Sequence, residues 1–308
     1  MALKTFYSNG KLLLTSEYTV LNGAKALALP TVFGQNLIVE ENRSEKILWR
    51  SFNADQSVWI NVEIPFSEII GGLSSRQNPL EAKLINILHE AFKLNPNFLD
   101  KGNGYHIETH LTFPRLWGLG TSSTLISNIA QWLQINPYKL LETTFNGSGY
   151  DIACATNNTP ILFWLEGKNP IVETVEFYPE FSENLYFVYL NKKQNSKSAI
   201  ANYCSKQHDI TQAVEQTDKI TTQILQAKEL SEFAELIEKH ENVMSELLDM
   251  KTIKETLFSD FKGVIKSLGA WGGDFVLAVF EENPTKYFNE KGFTTVIPYK
   301  KMILLPVS

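Results

Sequence analysis

The sequence predicts an α+β fold, in which strands and helices are both numerous. Apolar and polar residues alternate in several runs of the first half, which is typical of strands with one buried face. Apolar residues recur at helical spacing after residue 80 and again after residue 125. Helical patterns fill most of residues 209–257, so we expect the later half to be richer in helix.

Composition limits the classes of protein that the chain could belong to. Its 308 residues are 44% hydrophobic and 12% aromatic, enough for one large domain or two medium ones. The net charge is -6 and no block of lysine or arginine occurs, which argues against a nucleic-acid partner. Cys154 and Cys204 are too few for a disulfide framework or a zinc site. With no signal-peptide pattern and no apolar run near 20 residues, we expect a cytoplasmic protein without a membrane partner.

The first half is predicted to consist mainly of short strands. The turn Ser8-Asn9-Gly10 is expected to separate two of them, at residues 3–7 and 12–14. The remaining strands are predicted at residues 36–40, 46–51, 58–64 and 105–113. A helix is predicted over residues 80–92. Its His89 is read as a packing or surface residue, and His106 and His110 lack the third ligand that a metal site needs.

The segment over residues 113–123 reads Phe-Pro-Arg-Leu-Trp-Gly-Leu-Gly-Thr-Ser-Ser and joins a predicted strand to a predicted helix. Glycines let the backbone approach a ligand closely, and hydroxyl groups can cap a helix or contact a cation. The first turn of a helix leaves N–H groups free and carries partial positive charge. The segment therefore predicts a phosphate-binding loop.

Two charged residues stand next to glycine turns. Lys11 follows Gly10 and is interpreted either as a solvated lysine or as a phosphate contact. Asp151 follows the turn Asn146-Gly147-Ser148-Gly149-Tyr150, where a carboxylate can cap a helix or accept a proton in a cleft. The residues alone leave both alternatives open.

The later half alternates predicted strands, loops and helices. Asn136-Pro137 is interpreted as a helix stop, the polar residues 166–170 as a boundary, and Thr252 with Glu255 as a capping box. The lysines of residues 191–198 could contact an anionic substrate or be solvated. A glycine loop is predicted over residues 267–275. Strands are predicted at residues 161–164, 185–190, 276–280, 293–297 and 302–305, and helices in two pieces within 209–249.

Taken in order, these motifs resemble those of the GHMP kinases, a family that includes galactokinase, homoserine kinase, mevalonate kinase and phosphomevalonate kinase. The family's Pro-Gly-Lys and Gly-Glu-(His/Tyr)-x-Val-x-x-Gly motifs read here Asn9-Gly10-Lys11 and Ser16-Glu17-Tyr18-Thr19-Val20-Leu21-Asn22-Gly23. Its phosphate loop, Pro-x-x-x-Gly-Leu-Gly-Ser-Ser-Ala, is similar to residues 114–123. The Ser-Gly-x-Asp turn of the mevalonate branches is similar to Ser148-Gly149-Tyr150-Asp151, and the family's C-terminal glycine loop to Gly269-Ala270-Trp271-Gly272-Gly273.

The resemblance implies an N-terminal mixed α/β domain over residues 1–170 and a ferredoxin-like C-terminal domain over residues 171–308. It implies that the chain uses ATP and Mg²⁺. Asp151 would receive or orient the acceptor's proton, Lys11 would lie near Asp151 and the γ-phosphate, and Ser122 would contact Mg²⁺. The resemblance assigns the ATP phosphates to Pro114, Gly118, Leu119, Gly120, Thr121, Ser122 and Ser123. It assigns the acceptor to Glu17, Tyr18, Ser148, Gly149, Lys193, Ser196, Gly272 and Gly273.

The chain departs from the family pattern at a few positions, since Asn9 replaces a proline, Ser16 a glycine, Ser123 and Thr124 small alanines, and Trp271 stands in a shorter glycine loop. The acceptor that the resemblance implies is a small anionic molecule, mevalonate or phosphomevalonate. The alternatives are a sugar or homoserine kinase, a diphosphomevalonate decarboxylase, and a non-catalytic relative that binds nucleotide or metabolite. A homodimer stays open, because the sequence does not address oligomeric state.

Overall fold

The computed structural model describes residues 3–72, 76–193, 203–204 and 210–305. It divides into two compact units, each assembled from several segments of the chain. The first unit consists of Met1–Gly10, Phe33–Arg115 and Leu119–Thr156. The second consists of Lys11–Val32, Leu116–Gly118 and Asn157–Ser308. The domain boundary near residue 170 stays a prediction.

Strands and helices follow one another in runs along the chain, which confirms the predicted α+β class. The strands are β1 (Leu3–Leu13), β2 (Ala26–Asn42), β3 (Lys46–Phe52), β4 (Val58–Pro65), β5 (Gly104–Leu111), β6 (Ile161–Glu166), β7 (Asn169–Thr174), β8 (Leu185–Tyr189), β9 (Val264–Leu268), β10 (Phe275–Val279) and β11 (Val296–Pro298). The helices are α1 (Phe66–Gly71), α2 (Pro79–Leu94), α3 (Thr121–Leu133), α4 (Pro137–Thr144), α5 (Tyr150–Thr156), α6 (Ile210–Gln226), α7 (Leu230–Leu248), α8 (Ile253–Leu257), α9 (Thr285–Glu290) and α10 (Tyr299–Met302).

The first unit is built on strands in the order β4-β3-β5-β2. β3 and β5 are parallel, while the other two neighbouring pairs are antiparallel. Alternation along β3 buries Ile47, Trp49 and Ser51 on one face, as its sequence predicts. This face joins one apolar core with residues of α2, α3 and α4, among them Leu88 and Ile129. Burial of these apolar side chains holds the helices against the sheet.

The second unit contains an antiparallel sheet in the order β11-β8-β10-β9. Along the chain, α6, α7 and α8 connect β8 to β9, and α9 connects β10 to β11. This βαββαβ order, with the fourth strand beside the first and the first beside the third, is the ferredoxin-like arrangement that the resemblance implied. Its core includes Val188, Phe258, Val276 and Phe288. The unit also holds the β6–β7 hairpin, with β6 paired to residues 26–28 of β2.

Two predictions for the N-terminal part are corrected. Residues 3–7 and 12–14 are not two strands, because β1 continues through Ser8, Asn9 and Gly10 without a turn. β1 pairs with β2, and the absence of a side chain at Gly34 of β2 lets the carbonyl of Ser8 approach. Pairing between strands thus overrides a local turn signal.

Further along the chain, three other segments can be compared with the prediction, and one of them differs from it. The predicted helix stop at Asn136-Pro137 is confirmed, since α3 ends at Leu133, and Asn136 also begins α4, where its side chain accepts hydrogen bonds from the N–H groups of Tyr138 and Lys139. The boundary at residues 166–170 stays a prediction; in the structure Glu166 of β6 pairs with Asn169 of β7, and Gly167 and Lys168 form the turn between these strands. Residues 302–305 are not a strand, because α10 ends at Met302 and Ile303 makes only an isolated bridge to Thr31. No helix in the described part of the chain is long and apolar enough to cross a membrane.

Candidate functional site

The predicted phosphate-binding loop leads directly into α3. Gly118 and Gly120 adopt φ angles of 71° and 98°, which glycine accepts at little cost. Gly120 is the N-cap of α3, and no side chain caps the helix there. The first turn of α3 therefore keeps backbone N–H groups available, as an anion-binding helix N-terminus requires.

The three consecutive hydroxyl residues have different surroundings. Ser123 is buried and donates to the carbonyl of Gly120 at 2.9 Å. Ser122 is exposed, and its hydroxyl has no hydrogen-bond partner in the described part of the chain. Thr121 is half-buried at the start of the helix. Of the three residues, Ser122 is thus the most exposed.

In the second unit, Gly118 contacts a cation and a carboxylate. Lys11 donates from Nζ to the carbonyl of Gly118 at 3.2 Å. A Cβ atom at Gly118 would lie 2.4 Å from Oδ2 of Asp274. The neighbouring loop residues are anchored as well, since Tyr189 donates its hydroxyl to the carbonyl of Leu116 at 3.1 Å. Both charged groups thus meet the loop at the same residue.

Asp274 was not predicted as a site residue. It follows Gly272 and Gly273 directly, has a φ angle of 53°, and is buried. Its N–H donates to the carbonyl of Lys192 at 2.8 Å, which fixes the backbone at this strained position. A carboxylate placed directly after two glycines is the sequence signal that would have identified it.

Asp151 lies in the first turn of α5, as predicted. Its Oδ1 accepts a hydrogen bond from the N–H of Ile152 at 3.0 Å. The preceding turn needs glycine, because Gly149 has a φ angle of 90° and a Cβ there would lie 3.0 Å from the ring of Tyr138. Burial, with a smaller contribution from the charge of Asp151, raises the pKa of Tyr138 to about 12. α3 and α5 pack against each other, so the first unit brings Ser122 and Asp151 onto neighbouring helices.

Glu17 is buried in the second unit, where it forms an ion pair. Nζ of Lys266 donates to its two carboxylate oxygens at 2.8 and 3.0 Å, and the lysine side chain is fully buried. Burial raises the pKa of Glu17 to about 7, although the charge of Lys266 acts in the opposite direction. Glu17 is therefore an element of the fold, and its contact with an acceptor stays a prediction.

Tyr18 connects the first motif to the C-terminal glycine loop. Its hydroxyl accepts a hydrogen bond from the N–H of Trp271 at 2.9 Å, and the indole of Trp271 donates to the carbonyl of Lys251. Gly272 in the same loop has a φ angle of 87°. Lys193 is exposed, whereas Ser196 lies outside the described residues. The acceptor contacts assigned to these residues, to Ser148, Gly149 and to Gly273 stay predictions.

The sequence matches no family model, and it matches no curated protein. Solved structures do match it over almost its whole length. The mevalonate kinase of Methanococcus jannaschii superposes with a TM-score of 0.73 at 16% identity, covering 99% of each chain. The phosphomevalonate kinase of Streptococcus pneumoniae, bound to phosphomevalonate and AMPPNP, gives 0.67 at 18% identity, covering 98% of each chain.

The chain has the GHMP kinase fold. A third GHMP kinase, the galactokinase of Lactococcus lactis in complex with galactose, agrees, with a TM-score of 0.62 at 14% identity, covering 94% of this chain and 88% of that chain. The predicted fold is confirmed over nearly the whole chain. Kinases with different acceptors share this fold, so the acceptor has to be argued from the residues themselves.

Proposed function

We propose that this chain is an ATP-dependent kinase that phosphorylates mevalonate or phosphomevalonate. The observation that carries the proposal is the N-terminus of α3, where Gly120 has a positive φ angle, no side chain caps the helix, and the Ser122 hydroxyl is exposed. Lys11 adds a cation at the carbonyl of Gly118 in the second unit. The GHMP kinase fold supports the same reaction class.

The residues of the loop fit a triphosphate and its metal ion. Free N–H groups at a helix N-terminus bind phosphate oxygens without needing a basic side chain. Mg²⁺ in phosphoryl-transfer sites takes most of its ligands from water and phosphate, and one hydroxyl such as that of Ser122 suits it. The described residues include no group of three His, Cys, Asp or Glu placed to hold a metal ion. We therefore assign Ser122 as the protein's Mg²⁺ ligand.

In the proposed reaction, the acceptor oxygen forms a bond to the γ-phosphorus while the bond from that phosphorus to the bridging oxygen breaks, which releases ADP. Asp151 takes the proton of an attacking hydroxyl or orients the attacking group. Lys11 stabilises the charge on the transferred phosphoryl group. Such transfers depend mainly on alignment and charge neutralisation, which the loop, the metal ion and these two charged side chains would supply together.

The choice of acceptor follows from the turn before Asp151 and from the lysine loop. Gly147 and Gly149, both with positive φ angles, shape the turn that precedes the Asp151 carboxylate, and Lys193 supplies an exposed cation for an anionic acceptor. Glu17 and Tyr18 would contribute to acceptor binding indirectly, by holding the segment over residues 16–23 through their hydrogen bonds to Lys266 and Trp271. Mevalonate and phosphomevalonate are both anions, and the proposal leaves open which of them is phosphorylated.

The first experiment measures ADP release with mevalonate, phosphomevalonate, galactose and homoserine as acceptors. We expect turnover with one of the first two. Asp151→Asn should lower kcat by roughly 100-fold or more, because the proton acceptor is lost. Lys11→Met should lower kcat by about 100- to 1,000-fold, because one group that stabilises transferred charge is lost.

Matched controls are Asp100→Asn, an exposed aspartate, and Lys4→Met, an exposed lysine on the same strand as Lys11. Both should retain wild-type rates. Near-wild-type turnover by both Asp151→Asn and Lys11→Met would contradict the assignment. Tight ATP binding without turnover of any acceptor would favour a non-catalytic binding protein, and turnover of galactose alone would favour a sugar kinase.

A further inference from the structure

The buried side of α3 carries polar residues where an apolar stripe would be expected. Ser127, Asn128 and Gln131 lie three, four and seven residues after Thr124, so the four share one face of the helix, with Gln131 at its exposed edge. Thr124, Ser127 and Asn128 are all buried. Opposite them lie Ser8 on β1 and Gln35 on β2, which are also buried. We call these six residues the polar seam.

Hydrogen bonds connect the two sides of the polar seam. The Ser8 hydroxyl donates to Oδ1 of Asn128 at 2.9 Å and lies 2.8 Å from the hydroxyl of Ser127. Nε2 of Gln131 donates to Ser8 Oγ at 3.1 Å. Nδ2 of Asn128 donates to the carbonyl of Gln35 at 2.9 Å. These bonds hold α3 in one axial position, because sliding it along the sheet would leave several buried polar groups without partners.

The end of the polar seam nearest the loop reaches the N-terminal turn of α3. The Thr124 hydroxyl lies 2.8 Å from Oε1 of Gln35 and 3.0 Å from the carbonyl of Gly120. The backbone N–H of Thr124 donates to the same carbonyl at 2.9 Å. Gly120 is the residue whose positive φ angle starts the helix. Gln35 thus fixes Thr124, and Thr124 fixes the residue that sets the direction of the free N–H groups.

We propose that Gln35 and Thr124 are positioning residues for the phosphate-binding turn. This inference rests on the proposed function, since it concerns the binding of ATP by that same turn. Neither side chain is assigned a contact with ATP. Their effect is to keep the N-terminal turn of α3 at one position and orientation relative to β2. A misplacement of about 1 Å in such a group can cost about 100-fold in rate.

Three variants test the proposal. Thr124→Val replaces the hydroxyl by a methyl group of similar size, Thr124→Ser restores the hydroxyl, and Ser127→Ala removes a buried hydroxyl farther along the polar seam. We expect Thr124→Val to weaken binding of a non-hydrolysable ATP analogue about tenfold or more, and to raise KM for ATP more than KM for the acceptor. Thr124→Ser should bind within about threefold of wild type, because its hydroxyl can reach Gln35.

Isothermal titration calorimetry gives the affinity, and thermal unfolding gives the stability of each variant. Ser127→Ala should lower Tm by about as much as Thr124→Val does but should keep the wild-type affinity for the ATP analogue. This difference separates an effect on positioning from general destabilisation. Equal affinity in wild type and Thr124→Val, or equal losses in Thr124→Val and Ser127→Ala, would overturn the proposal. If Thr124→Val does not fold, Gln35→Met on β2 removes the other partner of the hydrogen bond between Thr124 and Gln35 and tests the same proposal. Absence of analogue binding by the wild-type chain would instead overturn the proposed function, and this inference with it.

Discussion

The two units each contain a buried polar network, and the two networks differ in charge. The polar seam of the first unit is made of neutral hydroxyl and amide groups. In the second unit, Glu17, His240, Glu241 and Lys266 are all buried, and we call these four residues the ionic cluster. Lys266 binds Glu17, Glu241 accepts hydrogen bonds from the N–H and hydroxyl of Ser267, and Nε2 of His240 accepts one from the N–H of Ser16.

The comparison shows two ways in which buried polar groups can hold a segment in place, α3 in the first unit and the segment around Glu17 in the second. Neutral groups lose little on burial once each has a partner, so the polar seam holds α3 without any dependence on proton binding. Buried charges need an opposite charge nearby, because uncompensated ions are costly in the interior. Burial raises the pKa of Glu17 to about 7 and also raises that of Glu241, while burial and the charge of Lys266 hold the pKa of His240 well below its usual range. We therefore expect the stability of the second unit to depend on pH.

The largest expected effect is that of Lys266→Met. Removing the single cation leaves two buried carboxylates without compensation, and we expect a loss of about 3 to 5 kcal/mol in the free energy of unfolding. Urea unfolding measures it. Lys46→Met, which removes the cation of an exposed pair with Glu63, is the control and should cost less than about 1 kcal/mol.

A double variant distinguishes the energy of the Glu17–Lys266 ion pair from the cost of leaving one of its partners unpaired. Glu17→Leu combined with Lys266→Met should recover much of the stability lost in Lys266→Met, because no unpaired partner remains at that position. A loss in Lys266→Met no larger than that in Lys46→Met would show that the ionic cluster does not differ energetically from a surface pair.

A smaller effect is expected in the pH dependence of stability. Between its unfolded value of 4.5 and its folded value of about 7, Glu17 holds a proton that the unfolded chain lacks, so stability falls as pH rises. His240 has the opposite sign. Below its unfolded value of 6.5 the unfolded chain binds a proton that the folded chain lacks, so stability falls as pH falls.

Glu17→Gln should therefore remove a fall of up to about 1.4 kcal/mol per pH unit as pH rises between about 4.5 and 7, and His240→Gln a fall of similar size as pH decreases below 6.5. Urea unfolding between about pH 5 and pH 8 measures both slopes. Glu241 and Lys266 are present in both variants, so their contribution cancels in the comparison. Slopes that change in the same direction in the two variants would rule out this account of the ionic cluster.

The smallest effect is expected in the polar seam. Ser8→Ala removes one hydroxyl with three neighbours, and we expect a loss of about 1 to 2 kcal/mol that is the same at acid and alkaline pH. Ser44→Ala, an exposed serine, should change stability by less than about 0.5 kcal/mol. A pH-dependent loss in Ser8→Ala would mean that the polar seam is coupled to an ionised group.

The sequence predicted most strands and helices because one face of each is buried. β3, β4, β5 and α2 were recognised within a few residues from periodicity alone. β1 was not, since the signal of Ser8-Asn9-Gly10 is local while the pairing that overrides it involves β2. Ser16 illustrates the same limit, because it adopts a positive φ angle of 63°, which a serine rarely takes, and hydrogen bonds to His240 and to the carbonyl of Lys25 hold it there.

The candidate loop was predictable because its chemistry is local, with glycines and hydroxyls within a few residues. The polar seam and the ionic cluster were not predictable. Gln35 and Thr124 are 89 positions apart in the chain, and Glu17 and Lys266 are 249 apart. Each of these residues alone is typical of a solvent-exposed position, and only the fold places its partner beside it.

Two separate restraints disfavour the replacement of Gly118 by another residue. Its φ angle of 71° disfavours any residue with a Cβ atom, and the carboxylate of Asp274 occupies the space where that atom would lie. Shortening Asp274 would open the space but leave the backbone strain unchanged. A substitution at Gly118 therefore has no single compensating partner, so divergent descendants of this chain should keep glycine at this position even if Asp274 changes.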